Sequence, residues 1–216
     1  MGKDGIMPLE IRFLHNPTQS TGYVGCALTA NVFRFHRLDD GSWTADKVID
    51  IPSWNVNRWA LPQMPGIITD ILISMDDRFL YVSNWVQGDI RQYDITDPAH
   101  PRQTAQLYLG GCAVQGSAVE ITDDGVEQPP VVIIADRRIE GGPQMLQLSL
   151  DGKRLYVTTS LFSPWDRQFY PEMVAKGSVL LKIDINIEKG GMNLDRNFLV
   201  DFASEPNGPV LAHEIR

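Results

Sequence analysis

Cysteine is scarce in this sequence: Cys26 and Cys112 are the two cysteines among 216 residues. Two cysteines cannot form a disulfide framework, and their spacing matches no zinc site. No apolar run reaches the length that crosses a membrane, and the N-terminal residues lack the apolar segment of a signal peptide. The sequence therefore predicts a soluble, intracellular protein.

Clustered positive charge is also missing. The chain carries 19 Lys and Arg against 27 Asp and Glu, which gives a net charge of −8. The pair Arg137-Arg138 stands alone, so no basic run can follow a phosphate backbone. Nucleic acid is therefore not an expected partner. The ordinary hydrophobic share of 43% predicts a folded globular chain.

What the chain does have is a recurring hairpin pattern, clearest between Gly141 and Asp184. Two strand-like runs, Met145 to Leu150 and Arg154 to Thr159, are joined by Asp151-Gly152, which tolerates the positive φ of a tight turn. A loop rich in Pro and aromatic residues follows, and Ser178 to Ile185 is a third alternating run. Three such strands predict a meander, the unit from which propeller blades are made.

The same pattern returns at Ile68 to Ile95, and a fainter copy occupies the first part of the chain. The residues that match between the two clear copies are Ser74, Asp76, Leu80, Tyr81 and Val82 with Ser149, Asp151, Leu155, Tyr156 and Val157. Repeats of this kind favour blades around an axis over a single sandwich. The alternative is that any all-β protein contains Asp-Gly hairpins.

Between the repeats the sequence predicts connecting segments. Pro52 to Pro65, rich in Trp, Asn and Pro, is expected to be an inter-blade loop. Gly110 to Pro130 contains small residues and the acidic pair Asp123-Asp124, and is expected to be a mobile surface excursion. Helical periodicity is nearly absent, with at most one or two turns expected at Tyr170 to Lys176.

The repeat boundaries predict an all-β fold: a partial β-propeller of about three four-stranded blades and the first strand of another. The expected blades are 6–64, 65–140 and 141–207, followed by an incomplete blade at 208–216. A propeller is stable because its ring closes and neighbouring blades cover each other. Three blades leave apolar faces uncovered, so we expect a fragment of a longer protein or a partner that closes the ring.

A series of motifs indicates which family the chain resembles. The motifs are PLEIRFLHNP (8–17), GYVGCAL (22–28), DDRFLYVSNW (76–85), GDIRQYDITDP (88–98), GGPQMLQLSLDGKRLYVTTS (141–160), WDRQFYP (165–171), FLVDF (198–202) and GPVLAHEIR (208–216). They cover nearly the whole chain apart from 38–60 and 110–140. Together they resemble the C-terminal half of the selenium-binding protein family, whose members include methanethiol oxidases.

The resemblance implies a seven-bladed propeller and the oxidation of methanethiol by O2 to formaldehyde, hydrogen sulfide and hydrogen peroxide. It also implies copper as cofactor, with selenium binding as a further property of full-length members. The family's N-terminal half, with its selenium-linked cysteine and other metal-site histidines, and its short C-terminal tail have no counterpart here. Cys26 and Cys112 do not take the selenium role, and the chain alone is expected to be inactive.

Imidazole suits copper, and the chain has four histidines. His15 lies in the family's RFLHNP motif and His213 in its AHEIR motif, so these two are the candidate metal ligands, with the remaining ligands outside this chain. The alternative, which carries equal weight, is a hydrogen-bonded structural histidine at a strand end. His36 and His100 are expected to face solvent. No catalytic residue is assigned.

Glu10 and Glu214 occupy equivalent places in LEIR and HEIR. They are candidates to orient an imidazole, but ion pairs with Arg12 and Arg216 are the favoured interpretation. An aromatic stretch, Trp165 to Tyr170, is expected to anchor a loop rather than to line a channel mouth.

Two function classes stay open. The first is a fragment of a copper-dependent thiol oxidoreductase that acts on methanethiol. The second is a non-catalytic selenium-binding or protein-interaction module, of the kind associated with intra-Golgi transport and xenobiotic sensing. The expected location is the cytosol, with the nucleus and a peripheral membrane association as further sites.

Overall fold

The computed structural model describes residues 1–215. Its strands, in chain order, are β1 Pro8–Phe13, β2 Thr21–Cys26, β3 Asn31–Arg37, β4 Trp43–Asp50, β5 Trp54–Asn57, β6 Gln63–Met64, β7 Ile68–Ile73, β8 Phe79–Asn84, β9 Asp89–Asp94, β10 Arg102–Tyr108, β11 Glu120–Ile121, β12 Ile133–Ile134, β13 Arg137–Arg138, β14 Leu146–Leu148, β15 Arg154–Thr158, β16 Val179–Ile185 and β17 Met192–Asp201. Two helices, α1 Ser163–Phe169 and α2 Pro171–Lys176, follow β15, and short 3₁₀ turns lie at Gly2–Asp4 and Phe202–Ser204.

Three four-stranded antiparallel sheets dominate the molecule. We call them blade 1 (β1–β4), blade 2 (β7–β10) and blade 3 (β14–β17); in each, strands adjacent in sequence are adjacent in the sheet. The first strand of each blade is its inner strand, and β7 contacts both β1 and β14. The all-β partial propeller expected from the sequence is confirmed, with two short helices added.

The hairpin turns repeat at the level of single atoms. In blade 3 the Ser149 hydroxyl donates to Asp151 over 2.5 Å, and Gly152 adopts a φ of +70°. In blade 2 the Ser74 hydroxyl donates to Asp76 over 2.6 Å, and Asp77 takes the left-handed place with a φ of +58°. A non-glycine residue is uncommon in that conformation. The Asp77 carboxylate accepts hydrogen bonds from His15 N–H and Asn16 N–H, which hold this residue in place.

The core lies between the blades. Tyr23 and Val32 of blade 1 are fully buried against Ile71 and Leu80 of blade 2. Blade 2 packs in turn on blade 3 through a larger cluster that includes Tyr81, Ile90, Leu155, Val157 and Leu181. Burying each large apolar side chain stabilises the fold by about 1.5–3 kcal/mol, so packing between blades holds the array together.

Two of the expected loops carry strands instead. The segment 52–65 contains β5 and β6, and β11 of the segment 110–130 pairs with β5. Cys112, Ala113 and Val119 are buried, so the surface excursion expected over 110–130 is wrong for these residues. The Asp123 carboxylate accepts hydrogen bonds from both the backbone and side-chain nitrogens of Asn55. Such pairing joins residues far apart in sequence, which local patterns do not reveal.

The helical turns expected at Tyr170 to Lys176 are confirmed by α2, but the loop expected just before them is wrong, because it forms α1. A proline in the first turn starts each helix, where its missing N–H costs nothing. The expected anchoring role is confirmed: the Tyr170 hydroxyl donates to the Trp85 carbonyl over 2.5 Å, and the Tyr170 and Phe169 rings pack on Trp85.

Residues 209–215, expected to form a first strand, are not in a sheet. The other inner strands pair with the second strand of their own blade, and no second strand follows this segment within residues 1–215. Hydrogen bonds to blade 3 hold it instead: Ser178 N–H donates to the Val210 carbonyl and Ser160 N–H to the Ala212 carbonyl. Arg216 lies outside the described residues.

Candidate functional site

The inner segments of all three blades surround a central cavity of about 380 Å³. Its lining comes from β1, β7, the start of blade 3 and the segment 209–215, and consists of Glu10, Arg12, Leu72, Met145, Leu146, Gln147, Glu214 and Ile215. Inner strands face the axis of a propeller, so we call this cavity the central channel. It is the place where the three blades meet.

Arg12 organises the charges of the central channel. Its guanidinium lies 2.6 Å from the Glu10 carboxylate on the same strand and 3.3 Å from the Asp70 carboxylate on β7. The other oxygen of Asp70 accepts a hydrogen bond from Leu146 N–H over 2.8 Å. One guanidinium and one carboxylate therefore connect blades 1, 2 and 3. The Glu10–Arg12 ion pair expected from the sequence is confirmed.

Asp70 is fully buried, with 0% of its side chain exposed. Burial raises the pKa of its carboxyl to about 7, although the hydrogen bond from Leu146 N–H and the positive charge of Arg12 act in the opposite direction. The group can therefore gain or lose a proton near neutral pH. Sequence reasoning missed Asp70; a lone carboxylate inside the apolar run Ile68–Ile73 was the available signal.

His15 lies outside the central channel, just after β1. Its Nδ1 is 2.8 Å from Asp77 Oδ1, and the same carboxylate accepts hydrogen bonds from His15 N–H and Asn16 N–H. Burial raises the pKa of Asp77, but these hydrogen bonds outweigh it and the pKa lies below the usual value. The pair ties the first loop of blade 1 to the hairpin turn of blade 2.

His213 lies beside the last residues of β15. Its carbonyl accepts from the Thr158 hydroxyl over 2.7 Å, and its Nδ1 lies 3.3 Å from the Ser160 carbonyl. The next residue, Glu214, lines the central channel, whereas His213 does not.

The structure does not bring His15 and His213 together. His15 contacts the hairpin turn of blade 2, and that turn shares a cleft with the hairpin turn at the start of β15. His213 contacts the other end of β15, which has five residues. Five residues at about 3.3 Å each make β15 roughly 16 Å long, so the two histidines lie toward opposite ends of the blades and do not converge.

The donor set of the described residues does not fit a copper ion. No group of three or more His, Cys, Asp or Glu side chains within residues 1–215 could hold a metal. Burial raises the pKa of the Cys112 thiol to about 12 and also raises that of Cys26, so both sulfurs stay protonated at neutral pH. A metal in this family would need ligands that the described part of this chain does not provide.

The other two histidines differ from each other. The His100 side chain is 81% exposed, beside Asp97, which confirms the expected solvent position. The His36 side chain is 17% exposed, and its Nδ1 is 3.7 Å from Asp46, so that expectation is wrong. His36 pairs with Thr44 across β3 and β4, close to Asp46, a cross-strand placement that sequence alone does not show. The suggested Glu214–Arg216 pair lies outside the described residues.

Comparison with known proteins places this architecture in a family. The model of the 56 kDa selenium-binding protein family matches residues 1–216. A solved structure, a hypothetical selenium-binding protein from Sulfolobus tokodaii, superposes with a TM-score of 0.79 at 36% identity over 99% of this chain and 44% of that one.

Two relatives illustrate the similarity in sequence. A methanethiol oxidase from Xenopus tropicalis is 61% identical over 100% of this chain, and selenium-binding protein 2 from Mus musculus is 57% identical over 99% of it. The chain spans 46% of the length of each relative. None of the helices described in residues 1–215 has the length and apolarity needed to span a bilayer. The chain belongs to the selenium-binding protein family.

Proposed function

We propose that this chain is part of a methanethiol oxidase and that the complete protein converts methanethiol, O2 and water to formaldehyde, hydrogen sulfide and hydrogen peroxide. The 61% identity to a methanethiol oxidase over the full chain carries this proposal. Since the chain spans 46% of that relative, the reaction belongs to the complete protein and not to this chain alone.

The chain's own contribution is proposed to be one wall of the central channel. Its cavity of about 380 Å³ has room for a thiol with one carbon, and Met145 and Leu72 offer it apolar contacts. Asp70, held between Arg12 and Leu146 N–H, is suited to take up or release a proton beside this cavity. No catalytic residue is assigned among the channel residues.

Copper is the proposed cofactor of the complete protein, with its remaining ligands outside this chain. His15 and His213 stay candidate ligands, but their separation requires that each serve a different site or that only one of them serve. Selenium binding is proposed for the complete protein as well. The described residues by themselves do not form a fitting donor set for copper.

The direct test reconstitutes a complete protein. This chain is co-expressed with the remaining N-terminal part of the Xenopus tropicalis relative, and methanethiol-dependent O2 uptake and peroxide release are measured. We expect turnover from the pair and none from either part alone. Turnover by this chain alone, or a folded pair with copper bound and no turnover, would refute the proposal.

Substitutions in the reconstituted pair separate ligands from structural histidines. His15→Ala and His213→Ala are compared with His100→Ala, whose side chain is 81% exposed. Loss of a ligand should lower both copper content and turnover by about 10-fold or more. A structural histidine should instead lower thermal stability and leave copper content unchanged, and the His100 variant should change neither.

A non-catalytic module that binds selenium or another protein is the second candidate, relevant to intra-Golgi transport or xenobiotic sensing. It is favoured by the relative named selenium-binding protein 2, which is 57% identical to this chain. Binding of selenite-derived selenium by the reconstituted pair without peroxide release from methanethiol would support it over the oxidase.

The proposed location of the complete protein is the cytosol, with nuclear and peripheral membrane-associated fractions. Fractionation of cells that express the reconstituted pair would check this placement. A pair found only in an integral membrane fraction would contradict it.

A further inference from the structure

A cleft of about 530 Å³ lies at the end of blade 1 where β1 connects to β2 and β3 connects to β4. We call it the blade 1 cleft. Its described lining includes three basic side chains, two hydroxyl groups and one acidic residue, namely Arg34, His36, Arg37, Ser20, Thr21 and Asp39. Positive charge gathered in one place is unusual for a chain whose net charge is −8.

Arg34 and His36 lie on the side of blade 1 that faces blade 2. They alternate along β3 with Val32, which is buried against blade 2. Across β2 and β3, Arg34 is opposite Tyr23, whose hydroxyl donates to the Pro98 carbonyl in the β9–β10 connection. The walls of this part of the cleft therefore come from blades 1 and 2, both of which lie within residues 1–215.

Two nitrogen atoms of these side chains are enclosed without a hydrogen-bond partner. Arg34 Nε and His36 Nδ1 are both buried atoms, and neither makes a hydrogen bond within residues 1–215. Asp46 Oδ2 lies 3.7 Å from His36 Nδ1, which is too far for a hydrogen bond. Leaving a buried polar group without a partner is costly, so these two nitrogens indicate a bound group that satisfies them.

The neighbouring carboxylates do not neutralise Arg34. Asp46 is opposite Arg34 across β3 and β4, but its carboxylate forms its ion pair with His36. The pKa of Asp97 is lowered chiefly by its hydrogen bond with His100 and least by the charge of Arg34. Arg34 belongs to none of the ion pairs formed within residues 1–215. Its guanidinium is therefore available to an anion.

We propose that the blade 1 cleft binds a phosphate group, as inorganic phosphate or as a small phosphate monoester. A guanidinium offers an oxyanion a planar fork of N–H donors, and the hydroxyl groups of Ser20 and Thr21 add donors in the same cleft. A phosphate monoester has three strong acceptor oxygens and nearly two negative charges at neutral pH, which match the guanidinium groups of Arg34 and Arg37. A carboxylate carries one charge and fewer acceptor oxygens, so it satisfies fewer of these donors.

A small ligand is favoured over a polyanion. The chain carries a net charge of −8, and Asp39 lines the cleft with Asp40 next to it in the sequence. A nucleic acid would bring many phosphates to this acidic surface, whereas a single phosphate group meets the basic side chains of the cleft. The cleft shares no lining residue with the central channel, so this inference is independent of the proposed oxidase activity.

Isothermal titration calorimetry of the 216-residue chain at constant ionic strength tests the proposal. We expect saturable binding of inorganic phosphate at one site, with a dissociation constant of about 1 mM or less. O-phosphoserine, a phosphate monoester, is titrated in parallel, and the tighter of the two ligands shows which source of phosphate the cleft prefers. No saturable binding of either ligand would overturn the proposal. Equally tight binding of acetate would also overturn it, because the cleft would then not recognise phosphate.

Single variants test whether the cleft is the place of binding. Arg34→Gln should weaken phosphate binding by about 10-fold or more, because a hydrogen bond between charged groups is lost. His36→Gln should weaken it by a smaller factor. Arg154→Gln in blade 3 is the matched control, because it removes the same charge from a guanidinium that pairs with Asp151, and it should leave the affinity unchanged. An unchanged affinity in Arg34→Gln would place the binding elsewhere and overturn the proposal.

Circular dichroism and urea unfolding establish that every variant is folded. If Arg34→Gln is not, Arg37→Gln replaces it, because Arg37 is an exposed residue of the same cleft. An unchanged affinity in this folded variant would contradict the proposal. The NMR signal of the Arg34 Nε–H group gives a second measurement on the unaltered chain. Phosphate should shift this signal, and a signal that stays in place at saturating phosphate would also contradict the proposal.

Discussion

The two faces of blade 1 are built from the same four strands but have different surroundings. On the inner side Tyr23 and Val32 are fully buried against blade 2, and on the outer side Ile11 and Phe13 are more than half exposed. Both faces are apolar, so alternation alone does not tell them apart. The difference shows that each blade of a propeller needs the neighbouring blade to bury its apolar face.

The largest expected effect comes from a substitution on the face of blade 1 that packs against blade 2. Tyr23→Ala should lower the free energy of unfolding by about 3–5 kcal/mol, because it opens a cavity between blades 1 and 2. Urea unfolding measures it. Tyr23→Phe is the control and should cost about 1 kcal/mol, since it removes the hydrogen bond from the hydroxyl to the Pro98 carbonyl. A Tyr23→Ala cost below that of Tyr23→Phe would contradict this packing.

The buried carboxylate between the blades should impose a pH dependence. The pKa of Asp70 is about 7 in the folded chain, above the usual value for an aspartate, so the folded state binds more protons between these values. The free energy of unfolding should therefore fall as the pH rises from about 4 to 7, by at most about 1.4 kcal/mol per unit.

Asp70→Asn should remove this slope while it keeps an acceptor for Leu146 N–H. Urea unfolding at several pH values checks it, and Asp124→Asn, at an exposed site, serves as the control. An unchanged slope in Asp70→Asn would mean that Asp70 is ionised throughout this range.

A smaller effect is expected where Asp77 links blade 1 to the hairpin turn of blade 2. Its pKa lies below the usual value, so its contribution is present above the unfolded pKa near 3.9 and is lost as the pH falls through the folded value. Asp77→Asn should cost about 1 kcal/mol at pH 7. The difference between variant and wild type should shrink below pH 4; a constant difference would rule out an ionised carboxylate.

The smallest effect is expected on the outer side. Phe13→Ala should change the unfolding free energy of the chain by less than about 1 kcal/mol, because its side chain is already 57% exposed. Urea unfolding measures this change. A cost equal to that of Tyr23→Ala would remove the contrast between the two faces.

The sequence predicted the elements whose signals are local. The hairpin strands of blades 2 and 3 and the turn at Asp151-Gly152 follow from alternation and turn chemistry within a few residues. The pairing of β5 with β11 and the helix at Ser163–Phe169 were not predicted, because the first depends on residues 60 positions apart or more and the second on packing against Trp85.

The candidate site was predicted only in part. The repeated phrases LEIR and HEIR made Glu10 and Glu214 candidates to orient an imidazole, with ion pairs favoured; the structure places both in the channel lining and pairs Glu10 with Arg12. Asp70 was missed, because its partners Arg12 and Leu146 lie in other blades. The distance between His15 and His213 depends on which end of an inner segment each occupies, and a motif match carries no such information.

Copper binding by the 216-residue chain tests most directly the claim that its residues alone do not form a working site. The chain is incubated with copper, desalted and analysed for bound metal, and methanethiol-dependent O2 uptake is recorded on the same sample. We predict well under one copper per chain and no uptake above buffer. One tightly held copper per chain, with uptake that His15→Ala or His213→Ala abolishes, would contradict the account.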